Sequence, residues 1–389
     1  MHEMTLREVI RERIRTEGPL PFATFAELAL YHPELGYYAR VDRRSGRAGD
    51  FFTSVDLGPA FGSLLASQLA EMWRILRSGS GDPRFDLVEA AAGNGRLARD
   101  VLDAAAADDP AFYRAIRLHL VEPSRAARDA QAATLGPHAD KVASSGSRIP
   151  PAIRGAVFAN ELLDALPPHV LEMTAGGLRE AYVDLDHATG DFAERLGPLS
   201  EASLQHVRDR NIRLESGWRA EVVPAAADWV RRAVDALTRG FLLLVDYGHE
   251  ARELYSATHA AGTLTTYRRQ RSAAAGDGAA PPWLVDPGEC DITAHVDLTL
   301  VRDAAEDAGA RTLGVLDQTY FLLGLGAVER MNHASRESPD GGVAALRRRL
   351  ALKSLLVPGG LGSTHKVMLF GKHVGTPSLA GCSYRVRAT

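Results

Sequence analysis

The chain has 389 residues, of which 46% are hydrophobic and 24% charged, with a formal net charge of −4. This length predicts two domains or one large domain with insertions, and the weak acidity excludes a basic field that would attract nucleic acid. The two cysteines, Cys290 and Cys382, have no metal-ligand spacing, and no apolar run approaches membrane-spanning length. A cytoplasmic protein without a membrane or nucleic-acid partner is therefore predicted.

The N-terminal part of the chain is predicted to be helical. Apolar residues at helical spacing indicate three helices, at residues 5–16, 25–31 and 57–77. The aromatic, turn-rich stretch at 31–38 is expected to be a packing corner. Asp50 and Thr53 are candidates to face a cofactor or substrate. The alternative is that the polar residues here serve only the helix that follows, with Ser54 or Asp56 as its N-cap.

Residues 85–102 carry the most informative pattern, a strand followed by a glycine turn and a helix. Gly93 and Gly95 permit a sharp turn that brings backbone N–H groups and the positive end of a helix close to a ligand. The spacing also satisfies the loose dinucleotide-binding pattern, so a dinucleotide and S-adenosylmethionine (SAM) are both candidates. Glu89 favours SAM, because a carboxylate suits an ammonium or sulfonium group but not a pyrophosphate. An ordinary turn without a ligand is the alternative.

Strands and helices continue to alternate after this turn. A second strand ends in Glu122, at the sheet edge where ribose hydroxyls bind, although Glu122 could instead serve the dipole of the next helix. Pro123 and Ser124 open that helix. A third strand ends at Asn160 and runs into Glu161, so that polar side chains gather again at the carboxyl end of a strand.

The second half of the chain begins with an interruption of this alternation. Antiparallel strands within residues 169–223 predict an inserted β-rich lobe that faces the substrate. A helix from Pro224 to Gly240 then precedes the most apolar strand, which is expected to be central. Thr293 is a predicted N-cap for a helix that extends to about Ala308. The remaining predictions are a mobile stretch at 271–282, strands at 311–319 and 366–371, and a basic helix with a solvated face at 343–356.

Seven blocks of residues, in order between about residues 20 and 370, carry a family resemblance. They are Tyr31–Tyr38, Gly49–Ser54, Glu89 with Gly93, Gly95 and Leu97, Val121-Glu122, Ala159–Pro167, Asp246–Gly248 and Gly288–Asp297. In these blocks the chain resembles the MidA-like methyltransferases, whose mitochondrial members assist complex I assembly. It departs from them at Ala91-Ala92, where the family usually has Gly-Pro, and at Val55-Asp56, where it usually has Pro-Glu.

The resemblance implies a class I, Rossmann-like SAM-dependent α/β fold, which agrees with the seven-stranded doubly wound sheet that the strand count predicts. Four segments are expected. They are an N-terminal helical segment that covers the active site (1–80), the first half of the SAM-binding core (81–168), the inserted lobe (169–223), and the second half of the core with a mobile 250–290 loop region (224–389).

The predicted site combines SAM-binding and catalytic residues. Those assigned to SAM are Asp50, Thr53, Glu89, Ala91, Gly93, Gly95, Leu97, Glu122, Pro123, Ser124, Asn160 and Glu161. Because carboxylates hold a guanidinium bidentately, Glu161, Glu289 and Asp291 are the predicted catalytic acids, with Asp164 completing the site. His295 is the predicted proton acceptor. Alternatively, Asp164 and Asp297 cap helices and His295 packs beneath a loop.

Three functions stay open from the sequence. The first, implied by the resemblance to the mitochondrial members, is protein arginine methylation that yields symmetric dimethylarginine. The others are a small-molecule O- or N-methyltransferase and a non-catalytic SAM-binding assembly factor, while a nicotinamide dehydrogenase is a distant fourth. The acceptor is thus a protein arginine or a small molecule, and a homodimer is left open. No metal constellation and no hydrolase nucleophile motif is recognised.

Overall fold

The computed structural model describes residues 4–39, 54–78, 82–268, 271–274, 280–330, 343–356 and 361–384. The chain forms two compact units, each assembled from segments that are distant in sequence. Unit 1 comprises Met1–Phe52, Leu163–Trp229 and Gly248–Val301, and unit 2 comprises Thr53–Leu162, Val230–Tyr247 and Arg302–Thr389. The division into four consecutive segments stays a prediction. Among the helices in the described ranges, none combines the length and apolarity needed to cross a bilayer.

The strands and helices have the following bounds. The strands are β1 (Leu20–Pro21), β2 (Phe85–Ala90), β3 (Ile116–Val121), β4 (Val142–Gly146), β5 (Ile153–Asn160), β6 (His169–Thr174), β7 (Gly177–Leu185), β8 (Phe192–Gly197), β9 (Arg219–Val222), β10 (Leu237–His249), β11 (Thr265–Arg268), β12 (Arg271–Ala274), β13 (Asp291–Thr293), β14 (Val296–Asp297), β15 (Arg311–Asp317) and β16 (His365–Lys372). The α-helices are Leu6–Glu17, Phe22–Tyr31, Ala60–Arg77, Arg96–Asp108, Pro110–Ala115, Arg125–Leu135, Glu201–Arg210, Pro224–Ala236, Ala251–Leu254, Pro282–Val285, Leu298–Asp307, Gln318–Gly324, Val343–Leu356 and Leu361–Thr364.

Unit 2 is built on seven strands of an eight-stranded sheet, in the order β15-β16-β10-β5-β2-β3-β4, and the eighth strand, β14, pairs with the end of β10. The strands from β10 to β4 are parallel neighbours, whereas β16 runs antiparallel to both β10 and β15. The apolar run from Phe241 to Val245 in β10 is buried and lies between two neighbouring strands, as predicted. The predicted Rossmann-like, seven-stranded sheet is therefore confirmed.

Unit 1 contains the predicted antiparallel lobe and more. Strands β6 and β7 form a hairpin that turns at Gly177, and β8 and β9 extend the sheet. The N-terminal strand β1 also joins it, pairing with β7. The first helix has the predicted inward face, since Leu6, Ile10 and Ile14 are buried. They share an apolar cluster with Phe25 and Trp283, so the N-terminal helices and the lobe have one core within this unit.

Three local predictions were wrong for identifiable reasons. Gly240 does not end a helix. It lies inside β10, next to an irregularity in the pairing with β5, where a Cβ would be 2.1 Å from the Gly155 oxygen. Thr293 ends β13 instead of capping a helix, and the helix Leu298–Asp307 is capped by Asp297, whose Oδ1 accepts the Leu300 N–H at 2.9 Å. The helix expected from residue 57 begins at Ala60, with Pro59 at its N-cap position, so neither Ser54 nor Asp56 caps it.

The mobile stretch predicted at 271–282 lies partly outside the described residues, which omit 275–279. Within the predicted 250–290 loop region the described chain instead forms short elements, among them β11, β12 and the helix Ala251–Leu254. Mobility itself stays a prediction.

Backbone strain follows two adjacent strands of unit 2. Ala91, after β2, has φ +54°, and Glu161, after β5, has φ +51°. Residues other than glycine rarely adopt this left-handed backbone conformation, because their Cβ atom crowds the following carbonyl at a cost of about 1–2 kcal/mol. Since Ala90 and Ala159 are paired in the β2–β5 ladder, both strained residues lie at the same edge of the sheet. Such strain is concentrated at functional sites.

Replacing Ala91 with glycine should relieve one of these strains. We expect the free energy of unfolding to rise by up to about 1 kcal/mol in A91G, because glycine adopts positive φ without a steric penalty. Urea denaturation measures the change. The matched control is A133G on the exposed side of the helix Arg125–Leu135, where the same substitution should lower stability by about 1 kcal/mol. Equal destabilisation of both variants would contradict the strain at Ala91.

Candidate active site

The glycine turn connects β2 to the helix Arg96–Asp108. Gly93 and Gly95 have φ values of +52° and +85°. Both therefore adopt the positive-φ conformations that glycine accommodates without a steric penalty. A Cβ at Gly93 would find no atom within 4 Å, which leaves open space beside the turn. Gly95 is the N-cap of the helix and offers no capping side chain. The positive end of the helix thus lies at the turn, where it favours a negative or polar ligand group, while the Ala98 N–H donates to Glu89.

Glu122 fastens this turn to the end of β3. Its carboxylate is 5% exposed, and its Oε2 accepts the Gly93 N–H at 2.8 Å while Oε1 accepts the Ser124 N–H at 2.8 Å. From the other side, Gln131 donates from Nε2 to the Gly93 oxygen at 2.9 Å. Side chains therefore hold both backbone polar groups of Gly93. A carboxylate oxygen can accept a second hydrogen bond, so the geometry is compatible with the predicted ribose contact.

Ser124, whose N–H donates to Glu122, also caps the helix that follows. Its Oγ accepts the Ala127 N–H at 3.4 Å, which makes it the N-cap of the helix Arg125–Leu135 as predicted. Arg128 donates to the carbonyl oxygens of Glu122 and Pro123, at 2.6 and 2.7 Å. These contacts make the loop after β3 a rigid support for the Glu122 carboxylate.

Glu89 lies beneath the turn and is 4% exposed. Burial raises the pKa of its carboxyl well above the usual value, and Glu122 and Asp100 add to this, while a hydrogen bond from the Ala98 N–H opposes it. Its Oε2 is buried without a hydrogen-bond partner. An unsatisfied buried acceptor is costly, and an ammonium donor would satisfy it, so the residue fits the role assigned to it from the sequence. That role stays a prediction.

The remaining SAM-binding predictions fall into two groups. Leu97 is 4% exposed and packs in the core of unit 2, so its side chain supports the turn from within. Asp50 and Thr53 lie outside the described residues. Asp56, one of the departures from the family pattern, accepts a hydrogen bond from Nη1 of Arg96 at 2.9 Å, and its side chain is 1% exposed. The acid thereby fixes the residue that starts the helix after the glycine turn.

Glu161 forms the second polar group of unit 2. Its side chain is 12% exposed, Asn160 donates from Nδ2 to its Oε1 at 2.9 Å, and His365 Nε2 is 3.5 Å from the same oxygen. The Glu161 N–H donates to the Val245 oxygen at 2.8 Å, and the Leu162 N–H donates to Oδ2 of Asp246 at 3.1 Å. The strained backbone and these bonds give the carboxylate a defined direction at the carboxyl ends of β5 and β10.

His365 and Gln131 are site residues that the sequence analysis missed. His365 is 5% exposed and starts β16, where it is paired with Tyr247 of β10. Only the insertion of an antiparallel β16 beside β10 brings it near Glu161, so no local pattern could have indicated it. Gln131 lies on a helix without a motif, and its Oε1 accepts a hydrogen bond from Ser145 at 2.7 Å.

The other predicted catalytic residues belong to unit 1. Asp291 is 3% exposed and its Oδ1 accepts the Tyr38 hydroxyl at 2.8 Å. Burial and the neighbouring Asp291 raise the pKa of Tyr38 well above its usual value. Burial, followed by the nearby histidines 249 and 259, lowers the pKa of His295 to about 4, which leaves its imidazole neutral at pH 7. Glu289 is half-buried, and the Asp164 carbonyl accepts the Ala294 N–H at 3.2 Å.

The contacts of Asp291 indicate a structural role for this acid in unit 1. Asp291 ties the aromatic segment around Tyr38 to β13, which supports the packing-corner interpretation of that segment. Glu161 of unit 2 and the trio Glu289, Asp291 and His295 of unit 1 are thus placed in different units. The catalytic roles predicted for them stay predictions.

Comparison with known proteins identifies relatives of the chain. A family model for S-adenosyl-L-methionine-dependent methyltransferases, Methyltransf_28, matches residues 64–316. A protein from Drosophila melanogaster named protein arginine methyltransferase NDUFAF7 homolog, mitochondrial, is 30% identical over 354 residues, covering 82% of this chain and 74% of its own. The Homo sapiens protein of the corresponding name is 30% identical over 348 residues, covering 82% and 73%.

Two crystal structures of proteins from Burkholderia thailandensis have the same fold. One, bound to S-adenosyl-homocysteine, is 29% identical with a TM-score of 0.86 and covers 98% of this chain and 95% of its own. The other, a native structure, is 30% identical with a TM-score of 0.83 and the same coverage.

The comparisons also correct one prediction. A cytoplasmic location was expected from the number and spacing of the two cysteines, but the curated relatives in fly and human are named as mitochondrial proteins, which contradicts that expectation. Cysteine usage reports a reducing environment and cannot separate one reducing compartment from another. The motif, the fold and the family match agree, and the chain belongs to the Methyltransf_28, MidA-like family of SAM-dependent methyltransferases.

Proposed function

We propose that this methyltransferase acts on arginine side chains of a protein and forms symmetric dimethylarginine. The names of the curated relatives support the acceptor class. The observation that carries the proposal is the half-buried, oriented Glu161 carboxylate at the end of β5, since a fixed carboxylate is the natural partner of a planar guanidinium.

In the proposed reaction, residues of unit 2 bind SAM and the guanidinium of the acceptor. SAM supplies a methyl group on a sulfonium, and transfer forms the nitrogen–carbon bond as the carbon–sulfur bond breaks. The turn at Gly93 and the Glu122 carboxylate hold the nucleoside, which fixes the direction of attack. Glu161 holds the guanidinium and concentrates its positive charge away from the attacking nitrogen. The acceptor nitrogen loses one proton to a base, and the assignment of that base to His295 of unit 1 rests on the sequence alone.

The alternatives are separated by one experiment. Tritiated SAM and purified enzyme are incubated with lysate from cells that lack the enzyme, and the labelled species is identified by mass spectrometry. Label on protein arginine, as symmetric dimethylarginine, supports the proposal. Label only on a small molecule favours an O- or N-methyltransferase, and SAM binding without any transfer favours the non-catalytic assembly factor.

Replacing Glu161 tests the acceptor site. We expect E161Q at saturating SAM to lose methyl transfer by about 100-fold or more, because the amide no longer carries the charge that holds a guanidinium. The affinity for SAM, measured by calorimetry, should change less. E27Q, an exposed glutamate on the helix Phe22–Tyr31, is the matched control and should transfer methyl groups normally. Wild-type turnover by E161Q would remove Glu161 from the mechanism.

Replacing Glu122 tests the cofactor site. In E122Q one carboxylate oxygen becomes an NH₂ donor that faces a backbone N–H, so the clamp on Gly93 or Ser124 is lost. We expect the affinity for SAM to fall about 10- to 100-fold, in line with the loss of one hydrogen bond to a charged group. Calorimetry measures the change, with E27Q again as the control. Unchanged affinity in a folded E122Q would exclude this carboxylate from SAM binding.

A further inference from the structure

Three histidines of unit 1 converge although they are separated in sequence. His249 ends β10, His259 ends the short 3₁₀ helix Ala257–His259, and His295 lies between β13 and β14. One ring nitrogen from each lies within 4.8 Å of the others. The ring centroids are 4.5 Å apart for His249 and His259, 5.2 Å for His249 and His295, and 6.0 Å for His259 and His295. All three side chains are half-buried, so solvent ions can reach them.

The backbone fixes the position of this group, which we call the histidine cluster. The end of β10 pairs in parallel with β14, and His249 is opposite Asp297 in that pairing. The His295 N–H donates to Oγ1 of Thr263 at 3.0 Å, which anchors the loop that carries it. Both anchors act through the backbone of these residues.

Glu253 orients two of the rings through their Nδ1 atoms. Its Oε1 is 2.9 Å from Nδ1 of His249, and its backbone oxygen is 3.0 Å from Nδ1 of His259. A carboxylate or a carbonyl at Nδ1 selects the tautomer whose proton is on that atom, and the lone pair then lies on Nε2. This arrangement is the outer shell that metal-binding histidines almost always have, and it serves to orient the ring and raise its basicity.

We propose that His249, His259 and His295 bind one divalent transition-metal ion of the zinc class, with a fourth position open to water. Imidazole suits Zn²⁺, Cu²⁺, Ni²⁺ and Fe²⁺, and three protein ligands with an open fourth position are typical of zinc sites with an exchangeable ligand. Nitrogens no more than 4.8 Å apart lie within about 2.8 Å of a common point, so ring shifts of less than about 1 Å give Zn–N bonds of about 2.0–2.1 Å.

The site is independent of the proposed acceptor, but it competes with one predicted role. An imidazole that binds a metal cannot accept the proton of the substrate through the same nitrogen, so metal binding would exclude His295 as the proton acceptor. No local pattern in the sequence indicated the histidine cluster, because intervals of this size between histidines match no local metal-binding pattern. It is the pairing of β10 with β14 that brings His249 close to His295.

Cobalt titration of the full chain tests the proposal. After treatment with a chelator, the protein is titrated with Co²⁺, and visible ligand-field absorption reports a site of low coordination number. We expect saturation at one equivalent and full displacement by Zn²⁺. H259A should weaken Co²⁺ binding at least 100-fold, and E253Q, which leaves the three ligands in place, about 10-fold. H187A, an exposed histidine in the same unit, is the control and should bind as the wild type does.

Two further readouts keep the test decisive. Zn²⁺ should raise the Tm of the wild type and of H187A but not of H259A, and Mg²⁺ should raise none of them. Metal-free H259A should have the same Tm as the metal-free wild type, and this result would exclude a folding defect in the variant. The proposal is overturned if the wild type binds no Co²⁺, if H259A binds it as tightly as H187A does, or if the stabilisation by Zn²⁺ survives in H259A. These results bear on the role of His295 as proton acceptor but not on whether arginine is methylated, so the two proposals fail separately.

Discussion

The double hydrogen bond of the Glu122 carboxylate is the contact on which the predicted SAM site depends. The side chain at the end of β3 reaches the N–H of Gly93 in the turn after β2 and the N–H of Ser124 in its own loop. Hydrogen bonds to a charged acceptor are stronger than neutral ones, and burial strengthens them further. They hold two neighbouring loops in fixed register, so the helix that starts at Arg96 points its positive end at a defined place. Without this clamp, a glycine turn would be among the most flexible parts of the chain.

Strain and burial at the same sheet edge point to function. Ala91 and Glu161 both have left-handed backbones directly after paired parallel strands, although neither is a glycine. Glu89 and Asn160 each have a buried side-chain oxygen without a hydrogen-bond partner. A stable protein keeps few such features, and their concentration where β2 and β5 end is expected of a site whose groups are satisfied by a ligand.

Local patterns in the sequence predicted the parts of the structure that depend on local physics. The apolar face of the first helix, the cap at Ser124, the turn at Gly177 and the buried strand at Phe241 all follow from spacing and residue type. Where two local signals compete, the prediction failed, as at Gly240, which could end a helix or allow two strands to approach closely. His365, Gln131 and the histidine cluster depend on which strands become neighbours, and the chain encodes that only through its complete fold. The family motifs predicted the fold and the cofactor because they summarise that fold in a few residues.

The most direct test of the central claim is a crystal structure of the protein soaked with S-adenosyl-homocysteine. The account predicts that its ribose hydroxyls lie within about 2.5–3.0 Å of the Glu122 carboxylate, the usual range for a hydroxyl donor, with its amino-acid end beside the turn at Gly93. Electron density for this nucleoside elsewhere in the molecule, or a Glu122 carboxylate that does not contact it, would contradict the account.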